Sequence, residues 1–599
     1  MILAGIINQV DDHIFDKLDS IVSKKISEDK VYFKNKFVKV VAGKTSDIVD
    51  QGSILTVNGA LLIGKVFNKR NYGAITIKEL EREVEASNEH FVKKYWGNYI
   101  SIKLHDETVK ILRDPVGQFP FFYMKLDSGE CLFASEMEIL IDIIKKPGFN
   151  WKYFSSYVIH GFITTEETAF DGIYELPHGC QMAYDFKTCI TKTSVVWNPL
   201  DYIGGYRNTK SAIDDIVNIT SNVIEKWTAG FEVVSLDFSG GTDSTGILFL
   251  LNKILHRNQE LKLINMFHPE VLSSDERKYA YEIAKGLGID LIEFDHSKSL
   301  PYDSDYSILS FKPNWPTSLL SYLKINNDIS FMLNGNKNKN IIYMSGHGGD
   351  HIFLCPPPIT SLCDYLIEQG AKGFNTKVNE IYEIFRKPLL PIISDMAKGF
   401  IIYYLYSSYE PSAYAINAHK KAPWFNENVL LLEKQIRYHP FFYNEKTTKS
   451  LPGKFGLIDA IYSGLSTIKS DIRDYGVNPV FFPLFSQPLL ELALSIPTYD
   501  TYRNGYNRYP FRKAISDTFK TNAVWRRDKG ETSGISQRGL KKNEKRIFDL
   551  CLEGNMVKQG LLNKDKLYSG LHEVINGQKD YQWSITNLIC AETFMNYWV

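Results

Sequence analysis

The sequence predicts two units of different class. The first, residues 1–205, reads as an α+β layered domain; the second, 206–599, as an α/β domain with a parallel sheet and a helical carboxyl-terminal extension. Three observations predict this. From Met1 to about Tyr206, short β-rich runs are separated by turn residues and mixed with two helical pieces. From Val233 to Met344, strand runs alternate with helix-length segments, the rhythm of right-handed crossovers in a parallel sheet. After about Cys355 the pattern is mostly helical.

In chain order, the first strand runs are Phe37–Ala42, Ser53–Val57, Leu61–Gly64, Tyr99–Leu104 and Thr108–Leu112, with Asn58-Gly59 as a hairpin signal between two of them. Helical pieces are expected at Lys78–Ala86 and Glu136–Ile144. Asn198–Asn208, polar and glycine-containing, is the linker candidate. Strands are then expected at Val233–Phe238, Leu261–Phe267, Asp290–Phe294 and Ile341–Met344. A helix containing Ile247–Leu251 and another over Ser274–Leu287, opened by Ser274-Asp275-Glu276 as a capping group, lie between them. Tyr581–Val599 reads as a docking helix.

Composition excludes several classes. Lys+Arg and Asp+Glu each number 69 in 599 residues, so no global field favours nucleic acid or an anionic membrane. Seven scattered cysteines form no C-x-x-C pair, which argues against a disulfide framework or a zinc site. The start, MILAGIINQVDDHIFDKL, has no basic n-region, and the longest apolar stretch, Gly399–Tyr406, is far below the ~20 residues that span a bilayer. The expectation is a cytoplasmic protein.

Chemistry concentrates in Ser239-Gly240-Gly241-Thr242-Asp243-Ser244, between a strand and a helix. Glycines let backbone N–H groups approach an anion, and the helix N-terminus adds positive dipole. No Lys follows, so this is not the G-x-x-x-x-G-K-[ST] loop. An acid inside a phosphate cradle repels phosphate unless it holds a divalent cation, which points Asp243 at Mg²⁺. A glycine turn with Asp243 as a helix cap would look the same in isolation. Ser345-Gly346-His347-Gly348-Gly349-Asp350 tips the balance, because it follows the fourth strand in the same manner and should bring Asp350 to the same sheet edge.

These residues resemble a family. Ser239–Ser244 resembles the pyrophosphate loop of the ATP pyrophosphatases, and its context resembles the asparagine synthetase superfamily. Arg113–Tyr123 looks like that superfamily's R-D-x-x-G-x-x-P-L-Y-Y, Phe133–Glu136 like F-A-S-E, and Leu176–Gly179 like L-P-P-G. Val480–Phe485 with Leu492–Pro497 looks like R-x-P-F-L-D…F-A-L-S-L-P, and Gly505–Arg512 and Arg526–Gly530 like its late basic elements. The resemblance implies an Ntn-hydrolase-like sandwich of glutaminase type, followed by an ATP-pyrophosphatase domain. Glutamine-dependent members begin Met-Cys-Gly-Ile; here the start is Met1-Ile2-Leu3-Ala4-Gly5-Ile6, so the expected glutaminase domain is degenerate and lacks its nucleophile. Two branches show that loss, the β-lactam synthetases and the lasso peptide cyclases. The position three before Asp350 is Glu in asparagine synthetases and Tyr in β-lactam synthetases, and here His347; the late basic residue is Lys in both of those, and here Arg508, so the chain most resembles a lasso peptide cyclase.

What the resemblance implies can be assigned residue by residue. Ser239, Gly240, Gly241, Thr242 and Ser244 would hold phosphates, with Gly346 beside them, while Asp243 and Asp350 would share Mg²⁺. Met266 and Phe267 would flank the adenine, although ordinary core burial explains them equally well. His347 would be the general base, with His351 a competitor and a structural loop histidine the alternative. Arg508 would stabilise the α-phosphate and leaving pyrophosphate, with a surface salt bridge as the plainer reading; Arg512, Arg526 and Lys529 are lesser candidates. The implied reaction is ATP-dependent formation of a macrolactam between a core peptide's N-terminal amine and an Asp or Glu side chain through an acyl-adenylate. The implied partners are a leader-cleaved precursor peptide, a leader peptidase and a leader-recognition protein. A small-molecule amide ligase and a catalytically silent scaffold remain open as rivals.

Overall fold

The computed structural model describes residues 1–8, 12–44, 52–144, 147–161, 163–204, 209–303, 312–334, 340–405, 422–443, 450–469, 480–528, 530–578 and 580–598. Its amino-terminal part contains two six-stranded antiparallel sheets. One has the spatial order Ile173–Glu175, Phe122–Lys125, Cys131–Ala134, Ile2–Ile7, Val38–Lys44, Glu28–Lys34. The other has Thr191–Val195, Cys180–Asp185, Thr108–Arg113, Tyr95–Leu104, Ala60–Asn68, Ser53–Val57. A single buried cluster takes Leu3, Val40 and Phe133 from the first sheet and Ile63, Ile102 and Met182 from the second, so the sheets pack face to face. The outer face of the first sheet (Ala4, Ile6, Leu132) is covered by the helices Asp12–Ser23 and Met137–Ile144. Asn58-Gly59 forms the expected hairpin, with Gly59 at φ +84°.

The second part is built on five parallel strands: β1 (Val233–Asp237), β2 (Glu260–Phe267), β3 (Leu291–Asp295), β4 (Ile341–Met344) and β5 (Val480–Phe481). Their order is β3-β2-β1-β4-β5. The chain therefore moves outward from β1 to β3, then returns to the other side of β1 for β4. The order reverses between β1 and β4, and the carboxyl ends of those two strands are where a doubly wound sheet binds its ligand. One face of β1 (Val234, Leu236, Phe238) packs on helices α1 (Thr209–Thr228) and α2 (Thr242–Ile254), and α3 (Arg277–Leu287) covers the same side. The other face (Val233, with Ile264 and Ile341) packs on α4 (Leu323–Asn334).

Two sequence expectations need correction here. The helix expected from Ser274 starts at Arg277. Glu276 is its N-cap without a side-chain cap, Ser274 closes a 3-10 turn, and its hydroxyl donates to the Val271 carbonyl. The linker stretch opens as a 3-10 turn, Pro199–Tyr202, and its residues 205–208 lie outside those described.

The two parts are joined by buried and half-buried polar contacts. Glu175, at the edge of the first sheet, accepts from Arg113 Nη1 at 2.7 Å, from Trp315 Nε1 at 2.9 Å and from Lys469 Nζ at 2.9 Å. Lys469 ends α5 (Pro452–Lys469). Glu491, on α6 (Gln487–Ser495), accepts from Lys69 Nζ at 2.6 Å and from Trp197 Nε1 at 3.2 Å. The terminal helix Gln582–Trp598 is buried along Ile585, Leu588, Ile589 and Phe594 and packs on Trp151–His160, as a docking helix should. Among the described residues no helix is long and apolar enough to cross a membrane.

Candidate active site at the switch point

The loop after β1 is shaped by what touches it. Gly240 has φ +71°, and a Cβ there would stand 2.8 Å from the backbone nitrogen of Ala280, so the loop lies directly against α3. Gly241 N-caps α2 without a side-chain cap, and its N–H donates to Ser239 Oγ at 3.2 Å. Ser239 Oγ and Ser244 Oγ lie 3.4 Å apart. Hydroxyls and the start of a 13-residue helix thus converge on one small space, the arrangement that binds phosphate.

The loop after β4 presses on the first. A Cβ on Gly346 would meet the Ser244 nitrogen at 2.7 Å, and one on Gly349 would meet Asp243 Cγ at 2.3 Å. These two glycines exist because of that contact. Asp243 and Asp350 are consequently brought together, and one nitrogen of Arg508 joins them: Nη1 donates to Asp243 Oδ2 at 2.7 Å and to Asp350 Oδ1 at 2.5 Å. The guanidinium bridges the two carboxylates as a divalent cation would. Arg508 is buried and sits at φ +52°, a left-handed conformation that side chains adopt rarely, just before helix α7 (Tyr509–Phe519). Burial works against its charge, but Asp243 and Asp350 outweigh burial and raise its pKa. The surface salt bridge weighed from the sequence is thus replaced by a buried one between the two loops.

The other predicted residues separate into those at this site and those beside it. Arg526 reaches it, with Nη1 3.5 Å from the Gly240 carbonyl and its guanidinium stacked 3.8 Å over Tyr279 and paired with Glu276. Arg512 does not serve it: it donates to the backbone carbonyls of Asn507, Val524 and Arg526, as a brace for the segment that carries Arg508. Burial first, then the charge of Arg508, pulls its pKa down to about 10. Lys529 lies outside the described residues. His347 is half-buried; its backbone N–H donates to Ser345 Oγ at 3.2 Å and its ring stands 5.1 Å from that of His351. Both rings pack on Phe485, at 5.6 and 5.4 Å. Phe267 ends β2 as expected, 9% exposed, with its ring face covered by the Arg277 guanidinium at 3.6 Å.

Sequence reasoning passed over two carboxyls. Asp237, the last residue of β1, and Asp459, on α5, are half-buried, and burial pushes each up to about 7. Asp237 had a visible signal, an acid interrupting the apolar run Val233–Phe238 two residues before the loop. A cavity of about 560 Å³ lined by Asp214, Asn218, Lys253 and Asp517 lies at the far end of α2 from the phosphate loop and takes no part in this geometry.

The contact at Gly349 makes a direct prediction. Gly349→Ala must displace the Asp243 carboxylate, and a misplacement on the order of 1 Å costs roughly 10²-fold in rate. ATP–pyrophosphate exchange should fall by that order while the circular dichroism spectrum stays unchanged. Exchange at the wild-type rate would mean that the position of Asp243 is unimportant.

Two family models match segments of the chain. A family model for the glutamine amidotransferase domain matches residues 81–195, and one for asparagine synthase matches 223–361 and 479–599, the segments that carry Asp243, Asp350 and Arg508. No curated protein matches the chain. Similar solved structures include glutamine phosphoribosylpyrophosphate amidotransferase from B. subtilis (11% identity, 59% of this chain and 77% of that one, TM-score 0.23). They also include the U34-tRNA thiolase NcsA from Methanococcus maripaludis (12%, 56% and 80%, TM-score 0.20). A third is the NH3-dependent NAD synthetase from Campylobacter jejuni (13%, 34% and 100%, TM-score 0.17).

Proposed function

We propose, for a chain that belongs to the asparagine synthetase superfamily and is an ATP-dependent, amide-forming ligase, that its substrate is a peptide which it closes into a macrolactam, as lasso peptide cyclases do. The observation that carries the reading is the joining of Asp243 and Asp350 at the switch point through Arg508. Two hard oxygen donors on neighbouring loops suit Mg²⁺, which binds through one or two carboxylates together with phosphate oxygens. Bound there, Mg²⁺ would neutralise the triphosphate.

The chain's own residues would do the rest. Ser239 and Ser244 hydroxyls, with the N–H groups of the loop, hold the phosphates. An Asp or Glu side chain of the peptide attacks the α-phosphorus of ATP; the α–β anhydride bond breaks, and pyrophosphate leaves past Arg508. The peptide's N-terminal amine then attacks the acyl carbon, AMP departs, and His347 takes the ammonium proton. The peptide loses one water in total. Because nucleophile and electrophile belong to one chain, holding them in register contributes ~7–11 kcal/mol toward the barrier.

An internal amine fits the state of the thiols. None of the seven cysteines is exposed. In the amino-terminal part, burial pushes the Cys131 thiol up to about 12 and the Cys180 thiol well above its ordinary range, whereas a nucleophilic thiol needs its pKa lowered. The leader peptidase and leader-recognition protein would act before this step, delivering the cleaved core peptide. The reading is tested by mass spectrometry of the purified protein with ATP, Mg²⁺ and a leader-cleaved core peptide encoded beside its gene. A product lighter by one water, with AMP formed one for one, is expected. ATP turnover only with a small amine and acid would establish the small-molecule ligase instead, and no exchange of pyrophosphate into ATP with any acid would establish the silent scaffold.

A further inference from the structure

Phe267 was expected to flank the adenine, yet its ring face is already taken. The Arg277 guanidinium lies 3.6 Å above it. The plane of that guanidinium is fixed from its edges: Nε and Nη2 donate to the two oxygens of Asp275 at 3.0 and 2.8 Å, and Nη1 donates to Glu293 Oε2 at 3.0 Å. A guanidinium tied at all three nitrogens is poorly placed to grip phosphate in its plane. It retains a flat, delocalised, cationic face, and guanidinium planes stack on aromatic rings. One face rests on Phe267. The side chain is 31% exposed, so it also meets solvent beyond that contact.

Its position is set by register. Asp237 of β1 pairs with Ile264 of β2, and β2 continues three residues further to Phe267 while the chain of β1 has already turned into the phosphate loop. Phe267 therefore projects past the loop on the neighbouring strand. Arg277 opens α3, one turn before Ala280, the residue against which Gly240 is pressed. The stack and the phosphate cradle are thus adjacent at one sheet edge, on the same side as α2 and α3.

We infer that Arg277 is the platform on which the purine base of the nucleotide stacks, with Phe267 as its backing and Asp275 and Glu293 holding it flat; this rests on the ATP reading above. Arg277 is a positioning residue for the nucleotide and takes no part in bond making.

The test uses the full chain and ATP–pyrophosphate exchange with the leader-cleaved core peptide as the acid. Arg277→Ala should raise the KM for ATP on the order of tenfold, as loss of one base-stacking partner does, with kcat within about twofold. Inhibition by inorganic tripolyphosphate, which has the anion and no base, should be unchanged. Arg277→Lys keeps a charge for Asp275 but has no plane, and it should show the same KM defect; it also serves as the second variant should the alanine form fold poorly. An unchanged KM for ATP in both variants overturns the inference, as does equal weakening of tripolyphosphate, which would reveal a general electrostatic or structural role. Absence of exchange in the wild-type protein with any acid supplied would instead overturn the ATP reading.

Discussion

Asp243→Asn should reduce ATP–pyrophosphate exchange by ~10²–10³-fold, the scale on which single preorganised charge-stabilising groups act, with the melting temperature nearly unchanged. The free protein holds three charges at the switch point, two negative and one positive, with Asp243 only 12% exposed at its side chain and Arg508 8%. Asparagine keeps the volume and one acceptor for Arg508 Nη1 but removes the negative charge that a divalent cation needs. Asp350→Asn should behave alike, and the double variant should be little worse than either single one, because the two acids act as a unit. Arg508→Lys separates the roles. It preserves charge toward pyrophosphate but cannot span both carboxylates with a fixed fork, so exchange should fall less than in Asp243→Asn. Exchange by Asp243→Asn at the wild-type rate would remove Asp243 from the chemistry.

The pairing of Asp243 with Asp350 was legible because each follows a strand, and the carboxyl ends of neighbouring parallel strands share an edge whatever the intervening chain does. Arg508 was legible as a residue but not as a bridge: its guanidinium arrives from outside the sheet, and nothing in local pattern fixes where such a side chain ends. The covering of Phe267 by Arg277 was hidden for the same reason, since periodicity reports which way a residue faces and not what faces it. In the fold, Ile2–Ile7 carries no alternation because all six of its residues are buried, and a strand buried on both faces loses the period-two signal. Val480–Phe481 is too short for any period, though its place was marked by the resemblance over Val480–Phe485. The start of α3 shifted from Ser274 to Arg277 because Ser274 spends its hydroxyl on the Val271 carbonyl, and an Asp275 oxygen instead accepts from the Arg277 N–H.

The largest effect on stability should come from Glu175. Its carboxylate is buried and accepts from Arg113, Lys469 and Trp315, groups drawn from both parts of the chain. Burial alone would raise its pKa; Lys469 and Arg113 outweigh burial and hold it below the ordinary range. Glu175→Gln leaves two cations buried against a neutral acceptor, a loss of about 3–5 kcal/mol by the usual cost of breaking a buried ion pair from one side. Urea unfolding should show a lowered midpoint, with a separate early transition if the two parts come apart first. Removing the stranded partner as well, in Glu175→Gln with Lys469→Met, should recover part of the loss, whereas a contact of no importance would give additive effects. The pH dependence has a fixed sign. Glu175 is lowered in the folded state, so its contribution is complete above the unfolded value of ~4.3 and is lost as pH falls through the lower folded value. Between pH 7 and pH 5 the wild type should therefore lose nothing through this group, and below about pH 4 its stability should converge toward that of Glu175→Gln. A gap between the two that persists unchanged to the acid transition would show that the contact is held by shape rather than by charge.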